Sequence, residues 1–226
     1  MNRIILPPGS NKKRRRPVGP GVSIGHPKSK GGTFGAVVRQ RNTGEILILS
    51  NNHVLANGSS VLDVRAKPGD PIFQPSAGSG GIYTMMIGRL YSWVPFEDAG
   101  CNLVDAALAK PLSHALISCE IRGIGRIRGT AAGIPGMRIK KVGHATGLTH
   151  GEITGINYSV SVPFAGKEYH FCDQLAARLR CREGDSGSLV VDEQNRAVGL
   201  LFAAQDGLAV INRIEHVVRL LNIEFV

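Results

Sequence analysis

The stretch Glu183-Gly184-Asp185-Ser186-Gly187-Ser188-Leu189-Val190-Val191 holds a serine between two glycines, directly ahead of an apolar run. Glycine accepts backbone conformations that a Cβ forbids and lets another group come close. On such a turn the amides of Gly184 and Ser186 can converge on one point and stabilise an oxyanion. A serine hydroxyl is a poor nucleophile without an adjacent base, so this chemistry also needs a histidine and a carboxylate. The apolar run Ile46–Leu49, a polar break at Ser50-Asn51-Asn52 and then His53-Val54-Leu55 supply the first. Asp105, alone in the apolar run Leu103–Ala109, supplies the second. A buried carboxylate without a partner is costly, and an imidazole in need of orientation would be that partner. Each residue alone also fits a plainer account: a glycine-rich hairpin turn, a satisfied core histidine, an exposed strand-end acid.

The elements that would position these groups are short strands. The 226 residues include 29 glycines and 12 prolines, with 42% apolar and 5% aromatic residues. That composition excludes wholesale disorder, and no window approaches the ~18 consecutive apolar residues of a membrane-spanning helix. Apolar runs at Thr33–Arg39, Glu45–Ser50, Ser59–Val64, Pro71–Gln74, Thr84–Tyr91 and Leu103–Lys110 form a first series of strands. Met137–Val142, Gly151–Val162, Glu168–Leu179, Ser188–Val191, Ala197–Ala204 and Leu208–Asn212 form a second. Two runs of six predict an all-β chain of two six-stranded antiparallel barrels packed side by side. Barrel one spans about 33–110, a connector 111–130 and barrel two 131–212. Ile214, Val217, Val218 and Leu221 recur at helical spacing, predicting a C-terminal helix over 213–221.

Charge is concentrated at the start. The net charge is +10, yet eight basic residues and no acid lie in the first 30 positions, leaving 19 basic against 17 acidic residues elsewhere. Residues 1–32, rich in Pro, Gly, Lys and Arg, read as a flexible basic leader, with His26 solvated. The run Lys12-Lys13-Arg14-Arg15-Arg16 is most simply a solvated tail; contact with nucleic acid or an acidic partner is the alternative. Ile4-Ile5-Leu6 stops at Pro7-Pro8, so the start is not a secretory signal, and a cytoplasmic location is expected. In a reducing compartment Cys101, Cys119, Cys172 and Cys181 are expected as free thiols, although three pairings into two disulfides are open.

The order His53, Asp105, Ser186 is one that serine triads use on two-barrel β folds. Together with the glycine-rich strand at Thr33–Val38, Ser50-Asn51-Asn52-His53-Val54-Leu55, Val104–Leu108, Gly184–Ser188 and Ala197–Leu201, it resembles the trypsin-like, chymotrypsin-fold serine proteases over about residues 31–222. Gly69-Asp70-Pro71-Ile72, Thr146-Gly147-Leu148-Thr149 and Gly199–Ala203 are further similar to a bacterial branch related to the plant narrow-leaf type of trypsin-like protein. The resemblance implies a serine endopeptidase acting on protein or peptide substrates through an acyl-enzyme. Ser186 would be nucleophile, His53 base, Asp105 the group orienting it, and the Gly184 and Ser186 amides the oxyanion hole. The alternative is a catalytically silent scaffold that binds protein.

The resemblance also implies a primary pocket with Arg180 at its floor and Phe202, Ala203 and Ala204 as its wall, with Glu183 beside the substrate. An arginine floor would favour acidic side chains; Arg180 turned to solvent is the simpler expectation. Departures from the family pattern are Val54 where secreted members often carry cysteine and Ser188 in place of glycine. Asp185 lacks a convincing processed N-terminus to pair with and reads as a turn residue. His144, His150 and His170 with Cys172 and Cys181 lack metal-ligand spacing, so no metal or cofactor is expected.

Overall fold

The computed structural model describes residues 13–164 and 166–226. The first unit comprises β1 (Ser23–Ile24), β2 (Gly32–Thr33), β3 (Ala36–Gln40), β4 (Ile46–Ser50), the single turn α1 (Asn52–Leu55), β5 (Pro71–Phe73), β6 (Met86–Trp93) and β7 (Ala107–Pro111). The second comprises β8 (Arg138–Gly143), β9 (Gly147–Phe164), β10 (Lys167–Leu179), β11 (Leu189–Asp192), β12 (Ala197–Gln205) and β13 (Leu208–Arg213). Helix α2 (Ile214–Leu221) and β14 (Ile223–Phe225) follow. Strands β8–β13 close into a barrel, and the first unit is a six-stranded antiparallel sheet in the order β14-β3-β4-β7-β6-β5. Its sixth strand thus comes from beyond α2, with Ile223 opposite Gln40 and Phe225 opposite Val38.

Continuous apolar runs mark strands covered on both faces. In β4, flanked by β3 and β7, Leu47, Ile48 and Leu49 are all fully buried. Leu47 and Leu49 join a cluster shared by the two units, with Leu108, Leu189, Leu200, Ile214 and Val217. Ile48 turns the other way, into the first unit's own core with Phe34, Val54 and Ile87. Helix α2 lays Ile214, Val217 and Leu221 on the shared core and ends at Asn222, whose left-handed φ of 51° lets its N–H reach the Arg219 and Val218 carbonyls.

Several expectations are corrected. The stretch Ser59–Val64 is a loop: a single bridge joins Ser60 to Phe96, and its other polar groups bond to Asp98 and Asp63 rather than to a named strand. The stretch Thr33–Arg39 divides at Gly35: Phe34 donates to Val22, whereas Gly35 donates to Leu49. A Cβ on Gly35 would stand 2.4 Å from the Gly187 carbonyl, so glycine is what allows the two units to meet there. The flexible leader does not extend to residue 32. Val18, Val22 and Ile24 are buried in the first core, and Ser23–Ile24 pair with Gly32–Thr33. His26 is buried rather than solvated, 3.3 Å from Asp70, and burial pulls its imidazole below the ordinary value against the carboxylate's opposing effect. Cys101 and Cys172 are joined in a disulfide with Cα atoms 5.8 Å apart; Cys119 and Cys181 are free. Among the described residues no helix is long and apolar enough to cross a membrane.

Candidate active site

Asp105 lies just before β7 with its side chain fully buried. Its backbone is held by side chains: its N–H donates to Asn212 Oδ1 (3.0 Å), and its carbonyl accepts from Asn51 Nδ2 (2.6 Å). Asn212 in turn donates to Gln174. Among the described residues the carboxylate itself is left to His53. Asp105 Oδ1 accepts the His53 backbone N–H at 3.1 Å, and Oδ2 is bonded to His53 Nδ1. A carboxylate can only accept, so Nδ1 carries the proton and Nε2 is left as the basic edge of the ring. The His53 side chain is 18% exposed, and the Phe164 ring stacks on it at 4.8 Å between centroids and 18° between planes.

Ser186 sits on the turn before β11. Asp185 N–H closes onto the Arg182 carbonyl (2.9 Å), and Gly184, third in that turn, has φ of +99°. Positive φ there marks a type II turn, which only glycine adopts freely. The turn leaves the Gly184 and Ser186 N–H groups without an acceptor among the described residues. The Ser186 carbonyl accepts from Thr33 N–H (2.7 Å), and its hydroxyl donates to the Phe202 carbonyl (3.2 Å). Ser188 is absorbed locally, its hydroxyl donating to the Asp185 carbonyl at 2.5 Å. Gly32 brings the two halves of the site together: a Cβ on it would lie 2.4 Å from Val54, the residue after His53, and 2.6 Å from the Ser186 carbonyl.

Asp185 is not the simple turn residue that the sequence suggests. Its buried carboxylate pairs with the buried Lys141 ammonium at 3.0 Å. It also accepts from Ala145 N–H (3.0 Å), Thr146 N–H (3.1 Å), the Thr146 hydroxyl (2.6 Å) and Arg182 N–H (3.2 Å). Burial alone would raise its pKa; the Lys141 charge and the Thr146 donors outweigh burial and hold it below the usual carboxylate range. Lys141 thus holds the serine turn from within barrel two. The available signal was strand alternation, since Lys141 shares a face with buried Ile139. Thr33 ties the same turn to the first unit, its hydroxyl donating to the Gly184 carbonyl (2.8 Å) and accepting His144 N–H (3.0 Å).

A cavity of about 210 Å³ opens beside Ser186. Glu183, Ala203 and Ala204 line it, with Cys181, Arg182 and Leu201. Arg180 does not line it. Arg180 is exposed, because β10 ends with Leu179 turned inward, and Cys181 takes the place expected for it. Burial raises the Cys181 thiol pKa. Phe202 contributes its backbone carbonyl, its ring being buried against Phe171 at 4.7 Å. Glu183 pairs at 2.9 Å with Lys30 of the first unit, both side chains well exposed.

Of the basic run, Lys12 lies outside the described residues, and Lys13 and Arg14 are exposed. Arg15 and Arg16 are drawn onto the first unit by Gln74. Its Oε1 accepts from Arg15 N–H (2.9 Å) and Arg16 Nη1 (2.6 Å), and its Nε2 donates to the Lys13 carbonyl (2.8 Å).

No protein-family model and no curated protein matches the chain. Solved structures match it by shape. Protease A of Thermobifida fusca has a TM-score of 0.65 at 16% identity, over 92% of this chain and 98% of that one. The chymotrypsin of Cellulomonas bogoriensis has a TM-score of 0.64 at 16% identity, over 92% and 98%. A glutamic acid specific serine protease has a TM-score of 0.64 at 18% identity, over 92% and 100%. The chain therefore has the chymotrypsin fold.

Proposed function

We propose that this chain is a serine endopeptidase that cleaves protein or peptide substrates through an acyl-enzyme. The observation that carries the reading is the buried Asp105 carboxylate, spent on the amide and Nδ1 of His53 beside a serine turn whose two amides are unused. A substrate carbonyl would enter next to Ser186, whose hydroxyl must swing from the Phe202 carbonyl to His53 Nε2 to lose its proton. Attack of Ser186 Oγ on the carbonyl carbon gives a tetrahedral oxyanion held by the Gly184 and Ser186 N–H groups, each worth about 3–4 kcal/mol. His53, now doubly protonated and stabilised by Asp105, passes its proton to the leaving amine; water then reverses the steps on the acyl-enzyme. The apolar walls from Leu201, Ala203 and Ala204 suit an uncharged side chain on the acyl residue.

A second reading, a silent protein-binding scaffold, draws on the Ser186 hydroxyl bonding to Phe202 rather than to His53 among the described contacts. A fluorophosphonate probe separates the two readings. An activated serine labels at Ser186, and Ser186→Ala is silent; absence of labelling in the wild type favours the scaffold.

A further inference from the structure

Beyond the pairing of Leu175–Ala177 with β13, strands β9 and β10 run on as a pair from Phe171–Val160 to Lys167–Phe164, with no third strand beside them among the described residues. A two-stranded ribbon is marginal alone in water. This one is fastened to the loop between β6 and β7. Asn102 N–H donates to the His170 carbonyl (2.9 Å), Cys172 N–H donates to the Asn102 carbonyl (3.1 Å), and the Cys101–Cys172 disulfide adds a covalent tie. Nearer the tip, Lys167 pairs with Asp98 (3.3 Å), which is itself held by Ser60 and Leu62.

The tether delivers Phe164 onto the imidazole. Strand alternation puts Val160, Val162 and Phe164 on one face, and the Phe164 ring also stacks on Phe96 at 5.3 Å and meets Phe171 edge-on at 6.3 Å. Phe171 packs on Phe202, so an aromatic arc runs from His53 to the strand whose next residues, Ala203 and Ala204, wall the cavity. Phe164 thus covers one face of His53, and the residue preceding the acyl residue of a substrate, where it lies over that face, meets the ring.

We infer that Phe164 determines specificity at that preceding position, filling the space over His53 so that only glycine or alanine fits there. The inference rests on the peptidase reading. A larger side chain must break the stack, and a single methylene in an apolar pocket already discriminates by about 10–200-fold. The ring touches His53 only through its face, so the basic edge stays open.

The test uses fluorogenic peptides identical except for Gly, Ala, Leu or Phe before the acyl residue, with parallel fluorophosphonate labelling. The wild type is expected to favour Gly over Leu by at least ~10-fold in kcat/KM, and Phe164→Ala to bring the ratio within about threefold by gaining on Leu. Phe164→Tyr keeps the wild-type ratio. Phe164→Leu, which retains an apolar tip but no ring, relaxes it, and decides the matter if the alanine variant does not fold. A uniform loss across all four peptides, or a Gly preference that persists in Phe164→Ala and Phe164→Leu, overturns the inference while labelling continues. A wild type that neither labels nor cleaves removes the peptidase reading and this inference with it.

Discussion

Replacing Lys141 by Met tests whether the buried ion pair is what holds the serine turn. Asp185 is fully buried and accepts from Lys141, Ala145, Thr146 twice and Arg182. Breaking a buried pair from one side costs about 3–5 kcal/mol because a charge is stranded. Four donors remain on Asp185, so the loss belongs near the lower figure, about 3 kcal/mol. In a domain of this size that lowers Tm by roughly 6–12 °C. The turn also carries the Gly184 N–H, so fluorophosphonate labelling of Ser186 should fall by about 100-fold, as for loss of one oxyanion donor. The pH dependence carries a definite sign. The Asp185 pKa is depressed in the folded state, so its stabilisation is present above the ordinary carboxylate range, near 3.9 unfolded, and is lost as pH falls through the lower folded value. Without the ammonium, burial is less opposed and the carboxyl rises from its depressed value, so the acid-side loss of stability moves to higher pH. The double variant Lys141→Met with Asp185→Asn removes both charges and should recover part of the lost stability. Urea unfolding from pH 3 to 8 and labelling rates provide the readouts. If Lys141→Met unfolds within about 0.5 kcal/mol of the wild type and labels at its rate, Lys141 does not anchor the turn.

Other perturbations address separate parts of the site. Gly184→Ala meets both a φ of +99° and a Cβ position 2.5 Å from the His144 ring, so labelling should fall on the order of 10²–10³-fold; a labelling rate within a few-fold of the wild type would show that this turn need not be type II. Cys101→Ser opens a crosslink between residues 71 apart in sequence and should lower stability by roughly 4 kcal/mol on the chain-entropy account. Thiol titration in guanidinium should count two free cysteines without reductant and four with it; four in both conditions would mean that the crosslink does not form.

The residues proposed as nucleophile, base and acid each carry a local signal in the sequence. Ser186 lies between glycines, His53 follows an apolar strand and a polar break, and Asp105 is a lone charge in an apolar run. The two β units were legible from apolar runs punctuated by Gly and Pro, but the first unit takes its sixth strand from Ile223–Phe225 rather than from Ser59–Val64. What escaped depends on register or on distant pairing. Lys141 follows another lysine, and only the inward position of Ile139 two residues earlier betrays its burial. Arg180 and Cys181 are neighbours, and one residue of register decides which faces the cavity. Phe164 looks like any apolar residue at a hairpin end until the ribbon's reach is known. The Pro- and Gly-rich stretch from Val18 to Ile24 reads as flexible, yet its apolar side chains are buried under the first sheet. Cys101 and Cys172 offer no local hint of pairing.

The pairing of β14 with β3 has a consequence for how the molecule is made. Ile223 lies opposite Gln40, so the first sheet is completed by residues emerging from the ribosome long after its other strands. Closing so long a loop is entropically costly and slow. During synthesis the His53 half must wait, its β3 edge uncovered, until translation has passed the Ser186 half and reached β14. Completion of the first sheet therefore follows translation of both units, and a nascent chain that has not reached β14 holds its first six-stranded sheet one strand short.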